Sequence, residues 1–169
     1  MEKILKIEDT IDYQKFSEDD KKKVDVVIDG FISEQKRNSF DWTSGFLQQW
    51  SVIKQLYFYK HLSKEEYLNE CIKIYERYTP IEDEISFQTC GYAVCLYYSG
   101  EKERSLDIFS RILESDCKDN FDFESVYEAV MILSTKMLGK DTEDVKNYDL
   151  FNEIYPLEED EIISNFVGW

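Results

Sequence analysis

The residues able to do chemistry are few. His61 is the single histidine, and the four cysteines, Cys71, Cys90, Cys95 and Cys117, include no C-x-x-C pair. One histidine excludes the paired Glu-x-x-His signature of di-iron bundles, and no serine or cysteine has an evident base-and-orienter arrangement. His61 stands where a helix is expected to end, and imidazolium there interacts favourably with the helix dipole. Cys71, Cys90 and Cys95 lie in helical patterns, where a thiol acts as a small buried hydrophobe, so free core thiols in a reducing compartment are expected. Asp116, Asp119, Asp122 and Glu124 have the composition of a calcium loop without its Asp-x-Asp-x-Asp-Gly spacing, so a solvated interhelical loop is expected instead. The sequence therefore predicts no catalytic residue, no cofactor and no metal.

What remains is charge. The chain of 169 residues carries a net charge of −16, unevenly spread. Residues 1–45 and 46–115 each hold 8 Lys/Arg against 11 Asp/Glu, whereas residues 116–169 hold 4 against 14, a balance of −10. Such a field repels nucleic acid and anionic membranes and attracts cationic proteins. Lys21-Lys22-Lys23 is too short a basic run, in too acidic a chain, for a nucleic-acid patch. The partner-binding candidates are accordingly Asp116, Asp119, Asp122, Glu143, Asp144, Tyr148, Asp149, Glu153, Glu158, Glu159, Asp160 and Glu161. For Glu158–Glu161 a purely structural role, as acids favouring a helix N-terminus, competes with partner binding. Exposed tyrosines beside carboxylates suit an interface anchor, while Trp42 and Trp50 read as core.

The elements that must position these residues are helical. Hydrophobic residues make up 43% of the chain, with 6 Gly and 2 Pro, which argues for a packed all-α fold rather than a turn-rich sandwich. No apolar run reaches the roughly 20 residues that span a bilayer, and the first residues are too short and mixed for a signal peptide, so a cytoplasmic protein is expected. Ile4–Phe16 reads as an arm or short helix within residues 1–16. Ser17 caps a helix whose stripe is Val24, Val27, Ile28, Phe31 and Ile32. After a loop at Asn38–Gly45, a helix carries Phe46, Leu47, Trp50, Ile53, Leu56 and Tyr57 on one side. Ser63 and Glu66 then form a capping box, opening a helix with Tyr67, Leu68, Cys71, Ile72, Tyr75 and Tyr78 inward.

Two further patterns meet at Ser99-Gly100. The first buries Tyr92, Ala93 and Leu96, with Tyr97 a further candidate, and the second Leu106, Phe109, Ile112 and Leu113, which predicts an antiparallel hairpin with Gly100 left-handed at the turn. Beyond it, Asn120 or Asp122 starts a helix carrying Phe123, Val126, Tyr127, Val130, Leu133 and Met137, and Gly139 ends it. Thr142 is expected to cap another, with Val145, Tyr148 and Phe151 inward, and Pro156 lies past its end. A short helix near Glu158–Phe166 docks Ile162, Ile163 and Phe166. Helix pairs thus span 46–78, 84–115 and 122–155, with 157–169 as a cap, in one α-helical domain of seven to eight helices over 1–169. Pair starts near 46, 84 and 122 repeat at intervals of 38 residues, and Gly100 and Gly139 lie 39 apart, the spacing of stacked hairpins.

Ala93, Gly100, Ser105, Phe109 and Ile112-Leu113 in that order resemble a tetratricopeptide unit. Cys117 stands where that family often has Pro. The third pair has Pro156 at that offset and Tyr148 at the aromatic position, but Asp144 where a small residue belongs, and the first pair has Leu68 at a small position. The resemblance covers about one and a half units and implies a short solenoid or irregular bundle that scaffolds binding. At the level of class, a small, acidic, aromatic-rich helical chain without catalytic residues also resembles bacterial immunity proteins. That likeness implies a non-enzymatic inhibitor of a cognate basic toxin, such as a nuclease. The alternative is an adaptor receiving a peptide or helix on a surface lined by residues such as Tyr59, Asn69 or Tyr98.

Overall fold

A computed structural model describes residues 62–78 and 84–168, together with residues 17–19, 21, 22, 50, 53, 54, 57 and 60. Every regular element among the described residues is helical: α1 (Lys64–Tyr78), α2 (Phe87–Tyr98), α3 (Lys102–Glu114), a 3-10 turn at Lys118–Asn120, α4 (Glu124–Leu138), α5 (Phe151–Ile154) and α6 (Glu159–Phe166). The protein is all-α. No helix among the described residues is long and apolar enough to cross a membrane. The expectations for Ile4–Phe16, the stripe Val24–Ile32, the Asn38–Gly45 loop with Trp42, Phe46, Leu47, Leu56, Tyr59 and His61 lie outside the described residues.

The chain divides into two compact units, Met1–Glu70 and Cys71–Trp169. In the first, Trp50, Ile53, Leu62, Tyr67 and Leu68 are buried, and Tyr57 stacks on Tyr67 with ring centroids 4.4 Å apart. Trp50 is thus core, as its helical phase predicts. The capping box is formed: Ser63 N–H donates to Glu66 Oε2 at 2.8 Å, and Glu66 N–H donates to Ser63 Oγ at 3.2 Å. Two amides that helix geometry leaves without intrahelical partners are satisfied there.

The second unit is organised around α2, which packs against α3, α4 and α6; α3 also packs against α4, and α4 against α5. Eight consecutive residues of α2, Thr89–Leu96, are buried. A helix apolar all round belongs in the middle of a structure. The α2–α3 turn is the expected one. Gly100 has φ +102°, Glu101 N–H donates to the Leu96 carbonyl at 2.9 Å, and Gly100 N–H to Tyr97 at 3.3 Å. Gly139 repeats this arrangement at the end of α4, with φ +61° and Lys140 N–H donating to Thr135 at 3.1 Å. Such 6→1 closures consume carbonyls the helix itself leaves open, and a residue without Cβ makes them unstrained.

Between α2 and α3 a small residue sets the approach. Ser105 is fully buried, and its hydroxyl donates to the Ala93 carbonyl at 2.6 Å. Phe109 and Ile112 complete the seam, both 0% exposed, and Ile108 is buried beside them although the sequence pattern omits it. Leu106 and Leu113, expected inward, are only half-buried.

Two further expectations fail in this unit. The segment after Thr142 does not continue as one helix: residues 143–150 form successive turns, and only Phe151–Ile154 closes a helical turn. Asp141 Oδ1 accepts the Glu143 N–H at 2.9 Å, while Tyr148 N–H donates to Val145 and Phe151 N–H to Tyr148, each at 3.0 Å. Asp141 takes a backbone amide at the start of the stretch, and Asp144, Asn147 and Asp149 are poor helix formers, which together favour turns over a continued helix. The other failure is Phe123. It is not inward; α4 begins one residue later and Phe123, at its N-cap, is 69% exposed.

Candidate protein-binding surface

Of the predicted binding residues, all the carboxylates are exposed: Asp116, Asp119, Asp122, Glu143, Asp144, Asp149, Glu153, Glu158, Glu159, Asp160 and Glu161. Tyr148 is half-buried. Their positions follow from local structure. Asp116, Asp119 and Asp122 decorate the connection from α3 to α4, which folds around the 3-10 turn because Asn120 N–H donates to Cys117 at 3.0 Å. The Asn120 side-chain amide holds this connection to the Ile85 carbonyl at 3.0 Å. Glu143 pairs with Lys146 in the turns after α4. Glu158–Glu161 open α6, and Glu158 N–H donates to Glu161 Oε2 at 2.9 Å, forming half of a capping box. Acids there interact favourably with the positive end of the helix dipole. The structural role expected for this group is present.

An aromatic row runs through the first of these groups. The Phe121 and Tyr127 rings meet edge-on at 5.7 Å, and Tyr127 and Tyr148 at 6.5 Å. Lys118 Nζ is 2.8 Å from Glu124 Oε1 and 5.8 Å from the Tyr127 ring centroid. Both partners respond: Lys118 is held above its ordinary pKa and Glu124 below its own, chiefly by their mutual hydrogen bond. The acidic connection and Tyr148 are thus brought together across Tyr127. The sequence marks Tyr148 and the carboxylates as candidates but not Lys118, since a lone lysine in an acidic run carries no signal of the ring it covers.

A second lysine also works through an aromatic residue. Lys136 Nζ donates to the carbonyls of Tyr155 and Leu157 at 2.7 and 2.6 Å and lies 5.6 Å from the Tyr155 ring, which stacks on Phe151 at 4.9 Å. This stitches the chain around Pro156 onto α4. Elsewhere in the unit, Tyr92 O–H donates to Glu76 Oε1 at 2.9 Å and accepts from Arg104 Nη2 at 2.8 Å.

The thiols offer no reactive group. Cys71, Cys90, Cys95 and Cys117 are all free and buried. Burial pushes the thiols of Cys90, Cys95 and Cys117 upward, which keeps them protonated and poorly nucleophilic at neutral pH. Among the described residues no group of three or more His, Cys, Asp or Glu is placed to hold a metal ion.

Burial and neighbouring acids also set an alkaline limit. Burial is the main cause that raises Tyr92 and Tyr127 to about 12, and burial likewise raises Tyr75 well above its ordinary value. The Glu76 hydrogen bond adds to the effect at Tyr92, and the Tyr148 phenol adds to it at Tyr127. The folded state therefore favours the neutral phenols, whereas the unfolded chain releases these protons near the ordinary value of 10.0. This contribution to stability is fully present below pH 10.0 and is lost as pH rises toward about 12. Urea midpoints should fall across that window, and tyrosinate absorbance of the folded protein should lag behind that of the unfolded chain. Folded protein whose tyrosines all titrate near the ordinary value would contradict the assignment.

No family model, curated protein or solved structure matches the chain. The functional reading rests on the site.

Proposed function

We propose that the chain is a non-enzymatic acidic binding protein that neutralises a cationic protein by direct contact, as an immunity protein does a basic toxin domain such as a nuclease. One observation carries this reading: the −10 balance of residues 116–169 resides on carboxylates that, Glu128 apart, are exposed, in a segment that also holds the half-buried Tyr127 and Tyr148. A field of one sign accelerates encounter with an oppositely charged partner, and desolvated aromatic contacts lengthen the life of the complex. A toxin that holds phosphates must present a basic surface, so inhibitor and target would be complementary. The reading places the protein in a reducing compartment such as the cytoplasm, which the four free buried thiols support.

The test is association with a purified cationic nuclease domain at low and high salt. Substituting Glu143, Asp144 and Glu158–Glu161 by Gln or Asn should slow association about tenfold or more at low salt, with the difference shrinking as salt screens the field. Binding indifferent to both salt and these substitutions would sink the electrostatic reading.

A second reading is a tetratricopeptide-like adaptor, with hairpins stacked as a short solenoid. It is favoured by the 39-residue spacing of the two turn glycines and by the close α2–α3 seam at Ser105. It predicts salt-insensitive capture of an uncharged peptide, which the first reading does not.

A further inference from the structure

Phe123 presents apolar surface that the fold does not cover. It is 69% exposed, and the only other large hydrophobic residue exposed among the described residues is Tyr155, at 36%. A single exposed apolar side chain is ordinary on a protein surface. This one is not isolated. It lies one helical turn before Tyr127, and its carbonyl accepts the Val126 and Tyr127 N–H groups at 3.1 and 3.2 Å, which fixes the backbone that carries it. Tyr127 is the centre of the row formed with Phe121 and Tyr148.

The same short stretch states which partner chemistry it suits. Between residues 116 and 128 there are five carboxylates, Asp116, Asp119, Asp122, Glu124 and Glu128, against one lysine, Lys118. That lysine already shows how an ammonium is held here, against the Glu124 carboxylate and over the Tyr127 ring. Ring quadrupole and carboxylate act together on a cation, and a guanidinium fits both better than an ammonium because it is planar and less strongly hydrated. Apolar surface at Phe123 thus stands at the N-cap of α4, four residues before the cation seat at Tyr127.

We propose that this surface receives a basic segment of a partner protein in which an arginine or lysine adjoins an apolar side chain. The cation takes the place of Lys118 over Tyr127 and against Glu124, and the apolar neighbour packs on Phe123. The inference rests on the cationic-partner reading above and adds where on the chain that partner docks and what it must carry besides charge.

Two synthetic peptides of equal length and charge make the test, one alternating Arg with Leu and the other Arg with Ser, titrated against the full chain by fluorescence anisotropy. The Arg–Leu peptide should bind about tenfold more tightly, a difference of one apolar anchor. Phe123→Ser should erase that difference while leaving Arg–Ser binding unchanged. Lys118→Met should tighten both peptides about three- to fivefold beyond Lys140→Met, which removes the same charge from an exposed position elsewhere in the unit. Circular dichroism confirms that these surface variants fold. Equal binding of the two peptides, or equal effects of Lys118→Met and Lys140→Met, overturns the docking surface yet leaves the charge reading standing. If neither peptide binds at low salt, both readings are overturned.

Discussion

Gly91→Ala is expected to destabilise the second unit, although it exchanges the poorest ordinary helix former for the best. Inside α2, helix propensity alone would favour alanine by about 1 kcal/mol. Packing reverses the sign. A Cβ on Gly91 would lie 2.3 Å from the Tyr75 hydroxyl oxygen and 2.5 Å from the Phe166 carbonyl oxygen. Neither atom yields easily. The Tyr75 phenol oxygen ends a rigid, fully buried ring and accepts the Gly168 N–H at 3.0 Å, and the Phe166 carbonyl belongs to the backbone that closes α6. Phe166 is itself 2% exposed and stacks on Phe87 at 5.9 Å. Overpacking of this kind costs about 1–3 kcal/mol and sometimes more. Opening the Gly168–Tyr75 bond adds about 1 kcal/mol. The net expectation is a loss of about 1–3 kcal/mol in urea unfolding, with the clash winning over propensity. Hydrogen exchange should rise first in α6 and Val167–Gly168. A Gly91→Ala protein as stable as the parent would mean that α6 does not close on α2 in this way.

That outcome bears on how much of the molecule is readable beforehand. Local rules performed well where one residue and its own backbone decide the matter. Gly100 and Gly139 end helices because only a residue without Cβ adopts their φ without strain, and the Ser63–Glu66 capping box needs nothing beyond three residues of spacing. The α2–α3 hairpin was equally legible, since Tyr92, Ala93, Leu96, Phe109 and Ile112 repeat at helical intervals and are buried as that predicts. The rules failed where distant groups compete. Nothing in the sequence near Gly91 announces that Tyr75 and Phe166 converge on it. Lys136 looks like any surface lysine, and only the fold gives it the carbonyls of Tyr155 and Leu157. The stretch after Thr142 has apolar residues at helical spacing, but Asp141 takes a backbone amide just before it and its own Asp and Asn residues are poor helix formers, which periodicity does not weigh. At the candidate surface the carboxylates were legible as charge, whereas the seat at Tyr127 depends on Lys118 and Tyr148 arriving from separate segments.

Phe109 and Phe123 allow the same distinction to be measured with one substitution. In sequence both look alike, an aromatic residue in phase with an amphipathic helix. In the fold Phe109 is 0% exposed, within the α2–α3 seam, and Phe123 is 69% exposed. Phe109→Ala removes apolar contacts on every side and leaves a cavity that neighbouring helices fill only in part, so it should cost about 3–5 kcal/mol. A loss of that size is a large share of the roughly 5–15 kcal/mol by which a domain is stable. Phe123→Ala removes surface that water already reaches and should stay within about 0.5 kcal/mol of the parent. Urea unfolding of the two variants side by side checks both. A large stability loss at Phe123 would show that the residue is covered in solution and would remove it as a docking anchor. Near-parent stability together with weaker binding of the Arg–Leu peptide separates the two roles of phenylalanine in this chain: at 109 it holds helices together, and at 123 its apolar surface is left for another protein.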